Sequence, residues 1–147
     1  MLNRDFREFV QSLNDHDVRY LVVGGYAVAF HGHPRYTKDL DVWIEPTESN
    51  STKMMAALKQ FGFASLDLSA EDFLNPSQVI QLGYPPNRID ILMRLEGVDF
   101  EVCYSVREEL EIEGTRVLFI DLANLRKNKS AVGRHQDLAD LENLNES

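Results

Sequence analysis

The sequence predicts a mixed α/β (α+β) fold: one domain over residues 1–147, with helices flanking a mixed β-sheet. Three observations predict it. The apolar run Tyr20-Leu21-Val22-Val23 ends at Gly24-Gly25 and passes into a helical pattern, so a buried strand meets a helix at a glycine turn. Leu40, Val42 and Ile44 alternate with Asp39, Asp41 and Trp43, the period of two that marks a strand. Further apolar runs at 79–82, 88–92, 109–112 and 115–120 are interleaved with amphipathic stretches, and 147 residues suffice for one core.

Each element has a local reason. Phe6, Phe9, Val10 and Leu13 recur at helical spacing, predicting a helix over 3–15. Tyr26 to His31 reads as a short helix stopped by Gly32. Pro46 ends the strand of Asp39 and Asp41. Ser49 or Ser51 is a candidate cap for a helix that runs through Met54, Met55, Leu58 and Phe61 to Gly62. Residues 70–74 form a helical turn after Ser69. Two strands, Val79–Leu82 and Arg88–Leu92, join through a segment holding Gly83 and two prolines. Residues 99–105 are ambiguous between helix and strand. Glu113-Gly114 turns a hairpin between 109–112 and 115–120. Residues 121–128 and 135–144 read as helices, with Asp121 as a cap for the first. Trp43 is expected in the core, facing away from the acids.

Composition excludes some function classes. The formal charge of −9 argues against a broad nucleic-acid-binding surface, which needs many cations to displace counterions. No apolar run approaches the roughly 18 residues of a membrane span. The N-terminus opens on an amphipathic pattern and not on an apolar signal segment. The single cysteine, Cys103, leaves no internal disulfide and suits a reducing compartment. A cytoplasmic protein without membrane attachment is therefore expected. Residues 126–134 hold four cations and no acid, which reads either as a site for an anion or as a solvated loop between helices.

The acids carry the chemistry. Asp39 and Asp41, two residues apart on a strand, point to one face, where they repel unless a cation stands between them. Mg²⁺ or Mn²⁺, hard cations that take carboxylate and phosphate oxygens, would serve. Asp90, alone among the apolar residues of Arg88-Ile89-Asp90-Ile91-Leu92, is the best third acid, since a carboxylate there is costly unless paired or metal-bound. Asp99 and Asp72 are weaker rivals in less regular segments. The glycine turn at Gly24-Gly25 opens a helix whose free N–H groups suit phosphate. Three carboxylates with two cations would support in-line phosphoryl or nucleotidyl transfer from a nucleoside triphosphate. Arg35 and Thr37 directly precede the acids and either order them or simply pair and cap. Asp137 and Asp140, three residues apart, would pair with Arg134 or Lys129 in a structural role.

The combination of Gly24-Gly25, Arg35-x-Thr37-x-Asp39-x-Asp41 and Arg88-Ile89-Asp90 resembles the nucleotidyltransferase superfamily, whose fold is shared with DNA polymerase beta. Within it the chain is most similar to small bacterial nucleotidyltransferases related to AbiEii-type toxins. The C-terminal stretch from Leu122-Ala123-x-Leu125 through Lys129, Gly133-Arg134 and Asp137-Leu138-Ala139-Asp140 extends the likeness over about residues 18–145. The resemblance implies a metal triad of Asp39, Asp41 and Asp90. It also implies nucleotide contacts around Gly24, Gly25, Tyr26, Arg35 and Thr37, with Lys129 and Arg134 near the phosphates. Tyr26 is a departure, because many members carry Ser there to meet a phosphate. The acceptor implied is an RNA, protein or small-molecule hydroxyl, and a cognate toxin or antitoxin partner is a further implication. Two rivals stand beside this reading. A dinucleotide-binding enzyme would share the glycine turn, but the third fingerprint glycine is missing. A nucleotide-sensing or partner-binding module with weak catalysis would accommodate Tyr26.

Overall fold

Six strands form one sheet in the computed structural model, in which residues 2–33, 37, 39–62, 67–84 and 86–145 are described. They are β1 (Tyr20–Val23), β2 (Leu40–Ile44), β3 (Val79–Leu82), β4 (Ile89–Leu92), β5 (Glu108–Ile112) and β6 (Thr115–Phe119). Their spatial order is β3-β4-β2-β1-β6-β5. β2 runs antiparallel to β1 and parallel to β4, while β1 runs parallel to β6, so the sheet is mixed as expected. The tight connections are hairpins: β3–β4 and β5–β6 are antiparallel. Glu113 and Gly114 both adopt positive φ (49° and 86°), the geometry a two-residue turn needs to match strand twist.

The helices are α1 (Arg4–Asp15), α2 (Gly24–Phe30), α3 (Glu48–Phe61), α4 (Phe100–Ser105), α5 (Leu122–Val132) and α6 (His135–Asn145), with a 3₁₀ turn at Ala70–Phe73. Asn3 caps α1 by accepting from the Phe6 N–H at 2.8 Å, and the expected stripe of Phe6, Phe9, Val10 and Leu13 is buried. The cap of α3 is Thr47, earlier than Ser49 or Ser51, and Gly62 closes the helix at φ 109°. The ambiguous stretch at 99–105 is helical because Asp99 accepts from the Val102 N–H and caps it. Asp72 likewise accepts from the Ser69 N–H at 2.8 Å. Both rivals for the third acid are thus occupied as caps. α5 runs to Val132 and not to residue 128, so most of the basic stretch is helix and not an interhelical loop. Among the described residues no helix is long and apolar enough to cross a membrane.

Core packing holds β2 at the centre of the sheet. Leu40, Val42, Trp43 and Ile44 are buried, and Trp43 meets Phe100 of α4 edge-on at 5.0 Å. The period of two places Trp43 on the same face as Asp41, which corrects the expectation that it faces the other way. It is covered because α4 closes that end of the face, whereas the Asp41 end stays open. Asn50, at the start of α3, ties three elements together. Its Oδ1 accepts from the Arg19 N–H at 2.7 Å, and its Nδ2 donates to the Arg19 and Glu45 carbonyls at 3.0 and 2.9 Å. Asn50→Ala strands these backbone groups in a dry place, so it should lower stability by roughly 2–4 kcal/mol. Urea unfolding checks this, and a loss below about 1 kcal/mol would contradict it.

Candidate functional site

The β2–β4 register assembles the site. Asp41 stands directly opposite Asp90, Leu40 opposite Ile89 and Val42 opposite Ile91. Two carboxylates from segments far apart in sequence therefore lie abreast on one face. Continuing the register brings Arg88 opposite Asp39, and the Leu40 N–H donates to the Arg88 carbonyl at 3.1 Å. On the other side of β2, Asp41 stands opposite Val23, the last residue before Gly24. Gly24 has φ +66°, and a Cβ there would collide with the Asp41 carboxylate. Only glycine meets both conditions.

A cavity of about 320 Å³ opens over these strands, lined on one side by Gly24, Asp41 and Asp90 and on the other by Asn128, Lys129 and Arg134. The resemblance implies Lys129 and Arg134 near the phosphates, and the fold brings both to the cavity that Asp41 and Asp90 line. Lys129 is 5% exposed and bonds to Asp137 at 3.3 Å and Asp140 at 3.2 Å, both themselves buried. Arg134 donates from Nε to Asp137 at 2.7 Å while its side chain remains 77% exposed. Asp137 and Asp140 hold the cations in place, the structural role anticipated for them. Burial alone would raise the Asp137 carboxyl. The hydrogen bond from Arg134 and the charge of Lys129 outweigh it and hold it below the usual carboxylate range.

The remaining expected residues divide. Gly25 is buried in the first turn of α2, next to the cavity-lining Gly24. The Tyr26 ring is buried edge-on against Phe6 at 5.8 Å, and its hydroxyl donates to the Thr37 carbonyl at 3.4 Å. Tyr26 is therefore directed into the core and does not line the cavity. Thr37 sits at that contact. Arg35 lies outside the described residues.

The donor set suits a hard divalent cation. Carboxylate oxygens are the ligands Mg²⁺ and Mn²⁺ prefer, and Asp39 Oδ1 is buried with no hydrogen-bond partner. Burial first, then the charges of Asp90 and Asp39, push the Asp41 carboxyl up to about 7, against the pull of Lys129 and Arg88. A carboxyl raised in this way gains most from a cation. As they stand, however, no three His, Cys, Asp or Glu side chains among the described residues enclose a metal position. Arg88 stands beside two of the acids, and its guanidinium bonds to Asp39 at 2.7 Å and Asp90 at 3.0 Å. Sequence reasoning quoted Arg88 in the motif but gave it no role. The signal was present in the Arg-x-Asp spacing, which puts both side chains on one face.

Two outcomes follow from this electrostatics. The Asp41 carboxyl is higher in the folded state (about 7) than its ordinary 3.8, so its contribution to stability is complete at low pH and lost as pH rises through 7. With metal chelated, the melting temperature of the parent should fall between pH 5 and 8. Asp41→Asn, which has no carboxyl to ionise, should flatten the fall, by on the order of a few kcal/mol at pH 8. Parallel pH profiles would contradict the assignment. Second, Lys129→Met leaves buried Asp140 without its cation and Asp137 with Arg134 alone, and should cost about 3–5 kcal/mol in urea unfolding. Arg134→Ala, on an exposed side chain, should cost less than about 1 kcal/mol.

No protein-family model matches the sequence, and no curated protein matches it significantly. Solved structures do. The crystal structure of a "putative nucleotidyltransferase" from Thermotoga maritima superposes on 98% of this chain and 92% of its own, with TM-score 0.63 and 18% identity. An antigenic nucleotidyltransferase-like protein from Paracoccidioides brasiliensis covers 97% of this chain and 77% of its own, with TM-score 0.55 and 19% identity. The chain has the nucleotidyltransferase-like fold.

Proposed function

We propose that the protein is a metal-dependent nucleotidyltransferase that moves a nucleoside monophosphate from a nucleoside triphosphate to an acceptor hydroxyl. One observation carries this reading: Asp41 and Asp90 face Lys129 and Arg134 across one cavity, beside a glycine with no side chain. That arrangement separates a place for cations from a place for phosphates, the division that phosphoryl chemistry needs.

The residues take distinct parts. Asp41, Asp90 and Asp39 would hold Mg²⁺ or Mn²⁺. When bound, the cation would supply Lewis-acid activation of the hydroxyl and would neutralise charge on the leaving pyrophosphate. Gly24 keeps the turn bare so that the phosphate chain approaches the acids closely. Arg134, exposed and tethered by Asp137, reaches a phosphate oxygen, while buried Lys129 supplies a fixed positive field. The acceptor oxygen attacks the α-phosphorus, the bond to the bridging oxygen breaks, pyrophosphate leaves and the hydroxyl proton is released. The acceptor is an RNA, protein or small-molecule hydroxyl, and a toxin–antitoxin setting with a cognate partner belongs to this reading as its biological frame.

A second reading, a nucleotide-sensing or partner-binding module, is favoured by Tyr26, whose burial removes a hydroxyl from the phosphate turn. Both readings share a first test. Mn²⁺ with a nucleoside triphosphate at about a hundred times its Kd should raise the melting temperature by about 5–10 °C, and the double change Asp39→Ala, Asp41→Ala should abolish the rise. An equal rise in the double variant would remove the metal site from the account. A second measurement separates the readings. Each α-labelled triphosphate is incubated with cell lysate, with transfer of label and release of pyrophosphate expected for the enzyme. Binding without transfer for all four nucleotides would favour the sensor.

A further inference from the structure

Arg88 occupies the edge of the acid cluster in a specific way. Its Nε donates to Asp90 Oδ1 at 3.0 Å, and one terminal nitrogen donates both to Asp90 Oδ2 at 3.1 Å and to Asp39 Oδ2 at 2.7 Å. The fork therefore grips one carboxylate through both oxygens and bridges to a second from another strand. A guanidinium is always charged and has no lone pair to offer a metal. Arg88 and a divalent cation thus compete for the same carboxylate oxygens and repel one another. One guanidinium cannot neutralise three carboxylates, so the cluster remains anionic, and Asp39 Oδ1 stays buried without a partner. The Arg88 side chain is 30% exposed, which leaves it a path toward solvent.

We propose that Arg88 is the resident counter-ion of the metal site: it bridges Asp39 and Asp90 in the metal-free protein, opposes cation binding there, and turns outward when Mg²⁺ or Mn²⁺ takes those oxygens. The inference rests on the metal-site reading above. It makes Arg88 a positioning residue that holds Asp39 beside Asp90 until the cation arrives. It also sets the cation concentration at which the site fills.

The test measures Mn²⁺ affinity directly, by the electron paramagnetic resonance signal of free Mn²⁺, in the absence of nucleotide. Arg88→Met and Arg88→Gln remove the competing charge, the second while keeping a donor for folding. Arg88→Lys keeps the charge. The expected result is Mn²⁺ binding tighter by on the order of tenfold or more in the two neutral variants, with the lysine variant near the parent. A purely structural salt bridge predicts the opposite, neutral variants that bind Mn²⁺ no better than the parent, or worse, and that result overturns the inference alone. If neither the parent nor the neutral variants bind Mn²⁺, while circular dichroism shows them folded, the metal-site reading fails and the inference falls with it.

Discussion

Two carboxylates standing abreast on neighbouring inner strands set the terms for the rest of this structure. Asp41 and Asp90 are register partners on β2 and β4, so their separation is fixed by the spacing of the sheet and not by side-chain choice. Like charges so placed destabilise the fold unless they are compensated. The neighbourhood reads as a set of compensations. Arg88 clasps Asp90 and Asp39, Lys129 projects a positive field across the cavity, and the Asp41 carboxyl rises toward neutrality. A fold seeking stability alone would place apolar side chains at these positions. Retaining the acids, and then balancing them, is what the proposed metal site requires.

The opposite wall follows a complementary logic. α5 and α6 meet at Gly133, whose φ of 70° reverses the chain tightly enough to bring Asp137 back onto Lys129. The buried Lys129–Asp137–Asp140 group is expensive to desolvate and contributes specificity of placement more than stability. It fixes the angle of α6 and leaves Arg134 projecting into the cavity from a rigid base. The two walls therefore come from separate stretches of the chain, residues 24–90 and residues 128–134. Their convergence depends on β1, which pairs with β2 on one side and β6 on the other and so connects the acidic strands to the hairpin leading into α5.

Local signals in the sequence were enough for the strands and most helices, because period, caps and glycine stops are written within a few residues. The strand acids were legible for the same reason: Asp39-x-Asp41 and an isolated Asp90 violate an apolar pattern. The end of α5 was not. Its buried positions include Asn128 and Lys129, which bond to the Glu96 carbonyl and to the carboxylates of α6, so no apolar stripe announces them. The reach of Arg88 to Asp39, unlike its local pairing with Asp90, was hidden as well. Its proximity to Asp39 depends on the β2–β4 register, a contact across 49 residues that no local pattern encodes. Trp43 illustrates a different failure, since its apolar character suggested the face away from the acids although its spacing placed it on theirs.

The most direct test of the central claim is a crystal structure with Mn²⁺ and a triphosphate carrying a non-hydrolysable α–β linkage, read through the anomalous signal of manganese. The account predicts a manganese peak among Asp39, Asp41 and Asp90, the triphosphate running over Gly24, and a phosphate oxygen within hydrogen-bond reach of Arg134. Manganese and nucleotide bound away from this cavity, or a nucleotide seated there with no manganese at the carboxylates, would contradict it.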